Sequence, residues 1–388
     1  MATKNSTSLP RVELLHVFVP AGLSGRLAKY GQHSFTHDTS AIESGDPAAE
    51  ISLTTPLSAQ SYSTTPMLPV FQTFLPEGFL KQRIQERFAG AARRRHGTVG
   101  LVRWQRDRPS AGEPGTHTTN DDAETAESEA SPHAPLTKSR IGERATLHGH
   151  QLTVKVSGPD YPHLTENEFH CLSIARNVAR SVDPVAPNFW LSADRKRLAI
   201  ERFDYDRDSG IYSGFEDMVS LHGTVNEKKY EGSYENVAKA IALNAAPDQI
   251  QKSLREFFSM LVLSMVLRNG DAHLKNFGLL YTDPGADDCR LSPLYDLVCT
   301  TVYLKKDLPA LTLAGARAWP DRKTLVEFGR FHCHMDDAAT VIDQIVAAAM
   351  DYRPDDDASG MWQRMQEAIE SGLSALVPEM IFGRGSHP

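Results

Sequence analysis

The stretch Arg268-Asn269-Gly270-Asp271-Ala272-His273-Leu274-Lys275-Asn276-Phe277-Gly278 decides how this chain is interpreted. It directly follows a strongly apolar run, residues 257–267, which predicts a buried helix. Polar residues that directly follow a buried helix must be paired or must carry a function, because burying an unpaired polar group is costly. The density of Asp, His, Lys and Asn in this stretch therefore indicates a functional loop.

The spacing within the loop is typical of phosphoryl-transfer enzymes. Asp271 and Asn276 stand five positions apart, as in the D-x-x-x-x-N catalytic loop of protein kinases. In that loop the Asp orients the attacking hydroxyl and the Asn holds a magnesium ion. The alternative interpretation is an Asn-Gly turn with a few solvated charges.

The segment after the loop favours the first interpretation. Residues 277–281 predict a short strand, residues 282–288 are turn formers, and residues 289–294 predict a returning strand. This hairpin delivers Asp296, in the order by which kinases bring a second carboxylate to the metal. Because magnesium prefers hard oxygen ligands, Asn276 and Asp296 are the predicted metal ligands.

The run NGDAHLKNFGLLY, followed by LSPLYDLV, resembles the catalytic core of the HipA family. Members of this family are bacterial serine/threonine kinases that act as the toxin of toxin–antitoxin pairs. The resemblance implies an α+β, two-lobed protein-kinase-like fold of the HipA type, with a small N-terminal β-rich subdomain and a helical C-terminal lobe. It also implies ATP and magnesium (Mg2+) as cofactors.

The resemblance extends over most of the chain and suggests four parts. Residues 1–105 resemble the N-terminal subdomain of HipA proteins, including the corner Leu75-Pro76-Glu77-Gly78 that opens a helix. Residues 106–140 show no apolar periodicity and are rich in Ser, Thr, Pro, Gly and acids, which predicts a flexible acidic linker. Residues 141–204 are assigned to the nucleotide-binding part of the kinase N-lobe, and residues 205–388 to the helical C-terminal lobe.

A lysine on a strand, followed by a carboxylate on the next helix, forms the ion pair that holds the nucleotide phosphates in kinases. Residues 150–156 alternate like a strand that carries Lys155, and residues 162–178 predict an amphipathic helix that carries Glu168. By resemblance, Lys155 is the nucleotide lysine and Glu168 is its helix partner. The alternative for Lys155 is a solvent-facing side chain, as is usual for strand lysines.

The run Glu201-Arg202-Phe203-Asp204 ends a predicted hairpin and resembles the kinase hinge, which binds adenine through its main chain. By this resemblance, Glu201 and Phe203 supply backbone contacts to adenine, and Asp204 reaches the ribose. The alternative is a strand end with a capping Asp.

Phosphoryl transfer requires positioning and charge neutralisation rather than covalent catalysis. Asp271 is expected to accept the hydrogen bond, and later the proton, of a substrate serine or threonine hydroxyl. Lys275 is expected to neutralise the γ-phosphate. His273 stands where most protein kinases have a lysine, and bracing of the loop is favoured for it over proton transfer.

One segment departs from the family pattern. Residues 138–144 occupy the place of the glycine-rich loop that covers the phosphates, but they contain one glycine. Backbone amides cradle phosphate best where glycine lets them point inward. ATP binding could therefore be weaker or differently achieved, and Ser139 is a candidate autophosphorylation site.

The composition excludes several classes of protein. A net charge of −8 argues against strong nucleic-acid binding by the chain itself, because phosphate contacts need clustered Lys and Arg. The four cysteines show no paired spacing, which argues against a disulfide framework or a zinc site. Neither a signal-peptide core nor an apolar run of about 18 residues is found, so a cytoplasmic protein without membrane contact is expected.

Two functions from different classes follow. The first is an active kinase whose protein substrate, by family analogy, is a cytosolic translation component such as an aminoacyl-tRNA synthetase, so that growth arrest results. A helix-turn-helix antitoxin would neutralise it, and DNA would be reached only through that antitoxin. The alternative is a kinase-shaped binding module with impaired ATP handling that acts in an antitoxin–DNA complex. A small-molecule or lipid kinase would share the same Asp-Asn-Asp residues, and substrate assays alone would distinguish it.

Overall fold

The computed structural model describes residues 14–72, 144–148, 151–158, 160–179 and 186–377, with residues 144–148 described by their backbone. The predicted linker, the glycine-poor segment up to residue 143 with Ser139, and the helix predicted after Gly78 lie outside the described residues. The division of the chain into four parts therefore stays a prediction.

The N-terminal part is an antiparallel four-stranded sheet with strand order β1-β2-β3-β4. Gly31, at φ +83°, makes the tight turn between the second and third strands. The sheet packs on a small core that includes Phe35 and Phe71. Its elements are β1 (Leu14–Val19), β2 (Gly22–Tyr30), β3 (Gln32–His37), α1 (Thr39–Ser44), β4 (Tyr62–Thr64) and α2 (Pro69–Gln72).

The second sheet is also antiparallel, with strand order β5-β6-β8-β7. Its strands are β5 (Arg144–His148), β6 (Leu152–Ser157), β7 (Phe189–Leu191) and β8 (Arg197–Glu201). Helix α3 (Leu164–Val178) packs against β6, β7 and β8. Lys155 is the buried residue of β6, because its face of the strand is turned toward this helix and its polar groups.

The third sheet holds the predicted hairpin and has the order β11-β10-β9. Strands β10 (Gly278–Tyr281) and β11 (Arg290–Leu291) pair antiparallel, with Leu279 opposite Leu291. The returning strand is shorter than predicted, since Pro293 cannot donate a ladder hydrogen bond. The sequence did not predict β9 (Gly214–Asp217), which pairs with the other edge of β10.

The helical part is built around α6 (Ile250–Val266), whose side chains are nearly all buried. The helical C-terminal lobe that the resemblance implies is present, with five α-helices among the described residues from 234 onward. Asp321 caps its helix by accepting the Thr324 N–H, whereas Asp337 makes no side-chain cap and pairs with Arg255 instead. The other helices of this part are α4 (Met218–Leu221), α5 (Tyr234–Asn244), α7 (Arg322–His332), α8 (Ala338–Asp351) and α9 (Met361–Ser374).

Within the described parts of the chain, none of the helices combines the length and the apolar character that crossing a membrane requires.

Candidate active site

Lys155 lies at the centre of the candidate site. Its Nζ atom is 2.5 Å from Glu168 Oε1 and also contacts Asp296 Oδ1. Lys155 is only 5% exposed, so the solvent-facing alternative is wrong. Because the three residues come from β6, α3 and the segment after β11, one ammonium group joins all three elements.

Helix α3 is also fastened to the segment that follows Asp296. The side-chain amide of Asn167 donates to the Cys299 carbonyl at 3.0 Å, and the Cys299 N–H donates to Asn167 Oδ1 at 2.8 Å. This pair of hydrogen bonds fixes the helix one residue away from Glu168. The sequence did not indicate this role for Asn167, because its partner lies 132 positions away.

Asp296 adopts a left-handed backbone conformation, with φ +54°. Such a conformation is uncommon for residues other than glycine and is retained where the surroundings enforce it. The preceding Tyr295 provides one constraint, since its hydroxyl donates to the Lys275 carbonyl at 2.6 Å. The Asp296 side chain is thereby held at Lys155 while remaining 34% exposed, and so accessible to a ligand.

The turn that opens the catalytic loop is braced from the segment after Asp296. The Thr300 hydroxyl accepts the Gly270 N–H at 2.8 Å and donates to the Arg268 carbonyl at 3.0 Å. Asn269 Oδ1 accepts the Asp271 N–H at 3.1 Å. A Cβ atom on Gly270 would lie 2.0 Å from the Asp307 carboxylate, so only glycine fits there.

Asp271 is buried and carries a hydrogen bond from a residue that the sequence did not single out for catalysis. The Tyr230 hydroxyl donates to Asp271 Oδ1 at 2.6 Å. The Tyr230 ring also meets the His273 ring edge-on, with the ring centroids 5.0 Å apart. No local sequence pattern could have identified this contact, because 41 residues separate the two partners.

His273 and Asn276 bind each other within the loop. The His273 backbone N–H donates to Asn276 Oδ1 at 3.1 Å. Burial, helped by the charge of Lys229, lowers the pKa of His273 well below its ordinary value, which keeps the ring neutral. This environment is consistent with the predicted bracing role. The Asn276 carbonyl oxygen retains a second lone pair that a metal could use.

Lys275 is held by two side chains from outside the loop. Its Nζ atom lies 3.2 Å from Asp217 Oδ2 and 3.3 Å from Asn226 Oδ1. Asp217 ends β9, is 2% exposed, and also caps α4 by accepting the Ser220 N–H at 2.9 Å. Sequence reasoning missed this pairing, because it did not predict β9.

The predicted hinge is more internally bonded than expected. The Glu201 N–H donates to the Asn188 carbonyl at 2.8 Å, so an adenine contact through Glu201 could use only its carbonyl oxygen. Arg202 binds both oxygens of Asp204, at 2.9 and 2.6 Å, and a ribose would compete with this pair. The centroids of the Phe203 and Tyr295 rings are 5.4 Å apart, and this contact links the hinge to the residue before Asp296.

Among the described residues, no group of three or more His, Cys, Asp or Glu side chains is arranged to hold a metal ion. Asn276 and Asp296 offer two hard oxygen ligands, which suits magnesium, because that ion commonly completes its shell with phosphates and water. The residues present therefore fit magnesium bound together with a nucleotide better than a metal caged by protein alone.

Comparison with known proteins gives the family. The sequence profile of the HipA-like C-terminal domain matches residues 130–353, and that of the HipA N-terminal domain matches residues 15–102. Two Sinorhizobium fredii proteins with provisional kinase names, Y4dM and Y4mE, are similar to this chain. Y4dM is 29% identical over 283 residues, and Y4mE is 31% identical over 200 residues. These matches cover 64% and 48% of this chain, and 66% and 44% of the relatives' lengths.

A solved structure shows the same fold. HipA of Shewanella oneidensis MR-1, in a complex with HipB and its operator DNA, superposes with a TM-score of 0.62 at 15% identity. The superposition covers 94% of this chain and 96% of that one. It confirms the expected α+β fold of the HipA type. Together with the two domain matches, it leads to one conclusion: this chain belongs to the HipA family.

Proposed function

We propose that this protein is an ATP- and Mg2+-dependent kinase that transfers the γ-phosphate to a serine or threonine hydroxyl of a protein substrate. The observation that carries the proposal is the simultaneous contact of Lys155 with Glu168 and Asp296. It brings the expected nucleotide lysine and the expected metal ligand to one point, and Thr300 ties the segment after Asp296 to the Asp271 loop.

In the proposed reaction, the Asp271 carboxylate accepts the hydrogen bond, and later the proton, of the substrate hydroxyl. Tyr230 orients this carboxylate through the hydrogen bond to Oδ1. Asp296 and Asn276 would hold magnesium, and Lys155 would pair with the nucleotide phosphates. When bound, magnesium would neutralise the negative charge that develops on the phosphates. Lys275 supplies a further positive charge to the γ-phosphate, and Glu168 keeps Lys155 in place.

We further propose that the chain is the toxin of a toxin–antitoxin pair. The HipA–HipB–operator complex, a toxin–antitoxin system, supports this proposal. The substrate would be a cytosolic translation component, such as an aminoacyl-tRNA synthetase, and its phosphorylation would arrest growth. A helix-turn-helix antitoxin would neutralise the kinase and carry the DNA contacts, in keeping with the net charge of −8 on this chain.

The test uses radiolabelled ATP and magnesium in a cell lysate, with the wild type compared with Asp271→Asn. Asp287→Asn is the matched control, since Asp287 lies exposed in the β10–β11 turn. We expect a labelled protein band with the wild type and the control. Asp271→Asn should lower the labelling by at least about 100-fold, as expected for loss of a general base. Labelling that is absent from the wild type as well would favour the kinase-shaped binding module.

A growth assay tests the toxin assignment separately. Expression of the wild type and of Asp287→Asn should arrest growth, whereas Asp271→Asn should not. Co-expression of a helix-turn-helix protein encoded beside the gene should restore growth. Equal arrest by all three variants would contradict a toxicity that depends on phosphoryl transfer.

A further inference from the structure

We propose that the N-terminal subdomain positions Lys275 of the catalytic loop, and that Asn226 is the positioning residue that connects them. This inference rests on the proposed phosphoryl transfer, in which Lys275 acts on the γ-phosphate. It assigns a role in catalysis to residues that the reaction itself does not touch.

Asn226 is bound to the last residue of α2 in the N-terminal subdomain. Its backbone N–H donates to Gln72 Oε1 at 3.2 Å, and its side-chain Nδ2 donates to the Gln72 carbonyl at 3.0 Å. Gln72 is itself fixed, because it is 5% exposed and its amide donates to the Met67 carbonyl at 2.5 Å. Main-chain and side-chain acceptors of one buried residue therefore hold Asn226.

The chemistry of the partners determines how the Asn226 amide is oriented. An ammonium group can only donate hydrogen bonds, so the amide oxygen must face Lys275, at 3.3 Å. A carbonyl can only accept, so the amide nitrogen must face Gln72. A flipped amide would lose both contacts, and the side chain thus connects the subdomain to the loop in one orientation.

The second partner of Lys275 is connected to the same subdomain. Asp217, 3.2 Å from Lys275 Nζ, directly follows Glu216 on β9. The Glu216 carboxylate accepts the Ser52 hydroxyl at 2.9 Å and the Leu53 N–H at 2.7 Å, both from the N-terminal subdomain. Asp217 and Asn226, which both contact Lys275, are therefore adjacent to, or part of, a contact with that subdomain.

Lysine is a residue for which such support matters. Its flexible stem loses up to about 2 kcal/mol of rotamer entropy when it is ordered. A single carboxylate attracts the ammonium but does not define its direction, whereas acceptors on two separate elements do. With Asn226 and the β9 acid both in place, Lys275 is ordered before the nucleotide arrives, and that pre-organisation is what the N-terminal subdomain supplies.

The experiment compares Asn226→Ala and Gln72→Ala with the wild type. Asn226→Ala removes the connection, while Gln72→Ala leaves the Asn226 side chain in place and removes one of its anchors in the subdomain. The matched control is Asn244→Ala, since the Asn244 amide donates to the Ala240 carbonyl of its own helix. The readouts are kcat, the KM for ATP, the melting temperature, and the rate at which acetic anhydride acylates Lys275, measured by mass spectrometry.

We expect Asn226→Ala to lower kcat about tenfold, which corresponds to about 1.4 kcal/mol of transition-state stabilisation. The KM for ATP should stay unchanged, and Lys275 should be acylated several-fold faster. Gln72→Ala should move kcat and acylation in the same directions by a smaller factor, and Asn244→Ala should move neither. If Asn226→Ala does not fold, the kcat and the acylation rate of Gln72→Ala test the proposal.

The two proposals fail in different ways. A wild type that transfers no phosphate under any condition contradicts the proposed function, whereas the acylation rates still report on the order of Lys275. An active wild type whose kcat and acylation rate are matched by both variants overturns the present inference. A purely structural role for Asn226 would lower the melting temperature while kcat of the folded protein stayed at the wild-type level, which would also overturn it.

Discussion

The Thr300 hydroxyl accepts a hydrogen bond from the Gly270 backbone N–H at 2.8 Å. Thr300 lies four residues after Asp296, and Gly270 lies one residue before Asp271. The hydroxyl is fully buried and also donates to the Arg268 carbonyl, so it satisfies two backbone groups of the loop at once. The segment of the expected metal ligand and the loop of the expected base are thus bound together.

We predict that Thr300→Val destabilises the protein by about 1–3 kcal/mol, because it removes the buried hydroxyl that accepts the Gly270 N–H, whereas the Arg268 carbonyl keeps its bond from the backbone N–H of residue 300. Urea unfolding followed by circular dichroism measures the change in the free energy of unfolding. Thr312→Val is the control, since the Thr312 hydroxyl makes an exposed contact with the Gly232 carbonyl. Equal effects of the two substitutions would contradict the special role of Thr300.

Tyr230→Phe tests the orientation of Asp271. The substitution removes only the phenolic oxygen, whose hydrogen bond to Asp271 Oδ1 is 2.6 Å long. A base that is free to rotate is less often aligned with the substrate, so we expect kcat to fall about tenfold with the KM for ATP unchanged. Steady-state kinetics measure both constants.

The control for this prediction is Tyr62→Phe, which removes the phenolic contact with the Pro56 carbonyl in the N-terminal subdomain. It should leave kcat unchanged. A Tyr230→Phe protein with the full wild-type kcat would show that Asp271 is oriented by other groups.

Glu216 of β9 is bound to the N-terminal subdomain through Ser52 and Leu53. Its carboxylate accepts four hydrogen bonds, and burial raises its pKa. We predict that Glu216→Ala lowers the free energy of unfolding by about 1–3 kcal/mol or more, since it leaves several buried donors without an acceptor. Glu216→Gln should be tolerated, because an amide NH2 can donate to the hydroxyl oxygens of Ser52 and Ser220. Limited proteolysis and urea unfolding would detect the difference, and two variants of equal stability would contradict it.

The burial of His170 leads us to predict that the stability of the protein depends on pH. Burial lowers its pKa below the ordinary value near 6.5, and its Nδ1 lies 2.8 Å from the Tyr352 hydroxyl. The unfolded chain therefore binds this proton at a higher pH than the folded protein does. The contribution of His170 to the free energy of unfolding is therefore complete above about pH 6.5. It falls as the pH drops toward the pKa of His170 in the folded protein, by up to about 1.4 kcal/mol per pH unit.

The measurement for His170 is the free energy of unfolding at pH 7.5 and at pH 5.5. Other groups titrate in this interval, so the informative quantity is the difference between the wild type and His170→Gln. The loss of stability between the two pH values should be smaller in the variant. An identical loss in both proteins would show that His170 does not contribute.

Local pattern was sufficient to predict the elements that carry the site. Alternation predicted the strand of Lys155, helical periodicity predicted the helix of Glu168, and turn residues predicted the hairpin before Asp296. These signals are local, since each depends on neighbours along the chain. The structure brings these three residues into contact, while their roles toward a nucleotide and magnesium stay predictions.

The parts that sequence did not predict depend on partners distant in the chain. Tyr230, Asn167 and Thr300 each bind backbone or side-chain groups more than 29 positions away, and nothing in their own neighbourhoods indicates this. The burial of Lys155 was left open for a related reason: a strand lysine is normally exposed, and only the folded arrangement supplies two acids to pair with it.

The contact of Lys155 with Glu168 and Asp296 has a consequence for the order in which ligands bind. One positive and two negative groups leave this junction with a surplus of one negative charge, which repels a bare triphosphate. In the proposed kinase, Asp296 would hold a cation that accompanies the nucleotide, and the charge of that cation would remove the repulsion. Nucleotide and magnesium should therefore enter together as one complex, and affinity for the metal-free nucleotide should be poor.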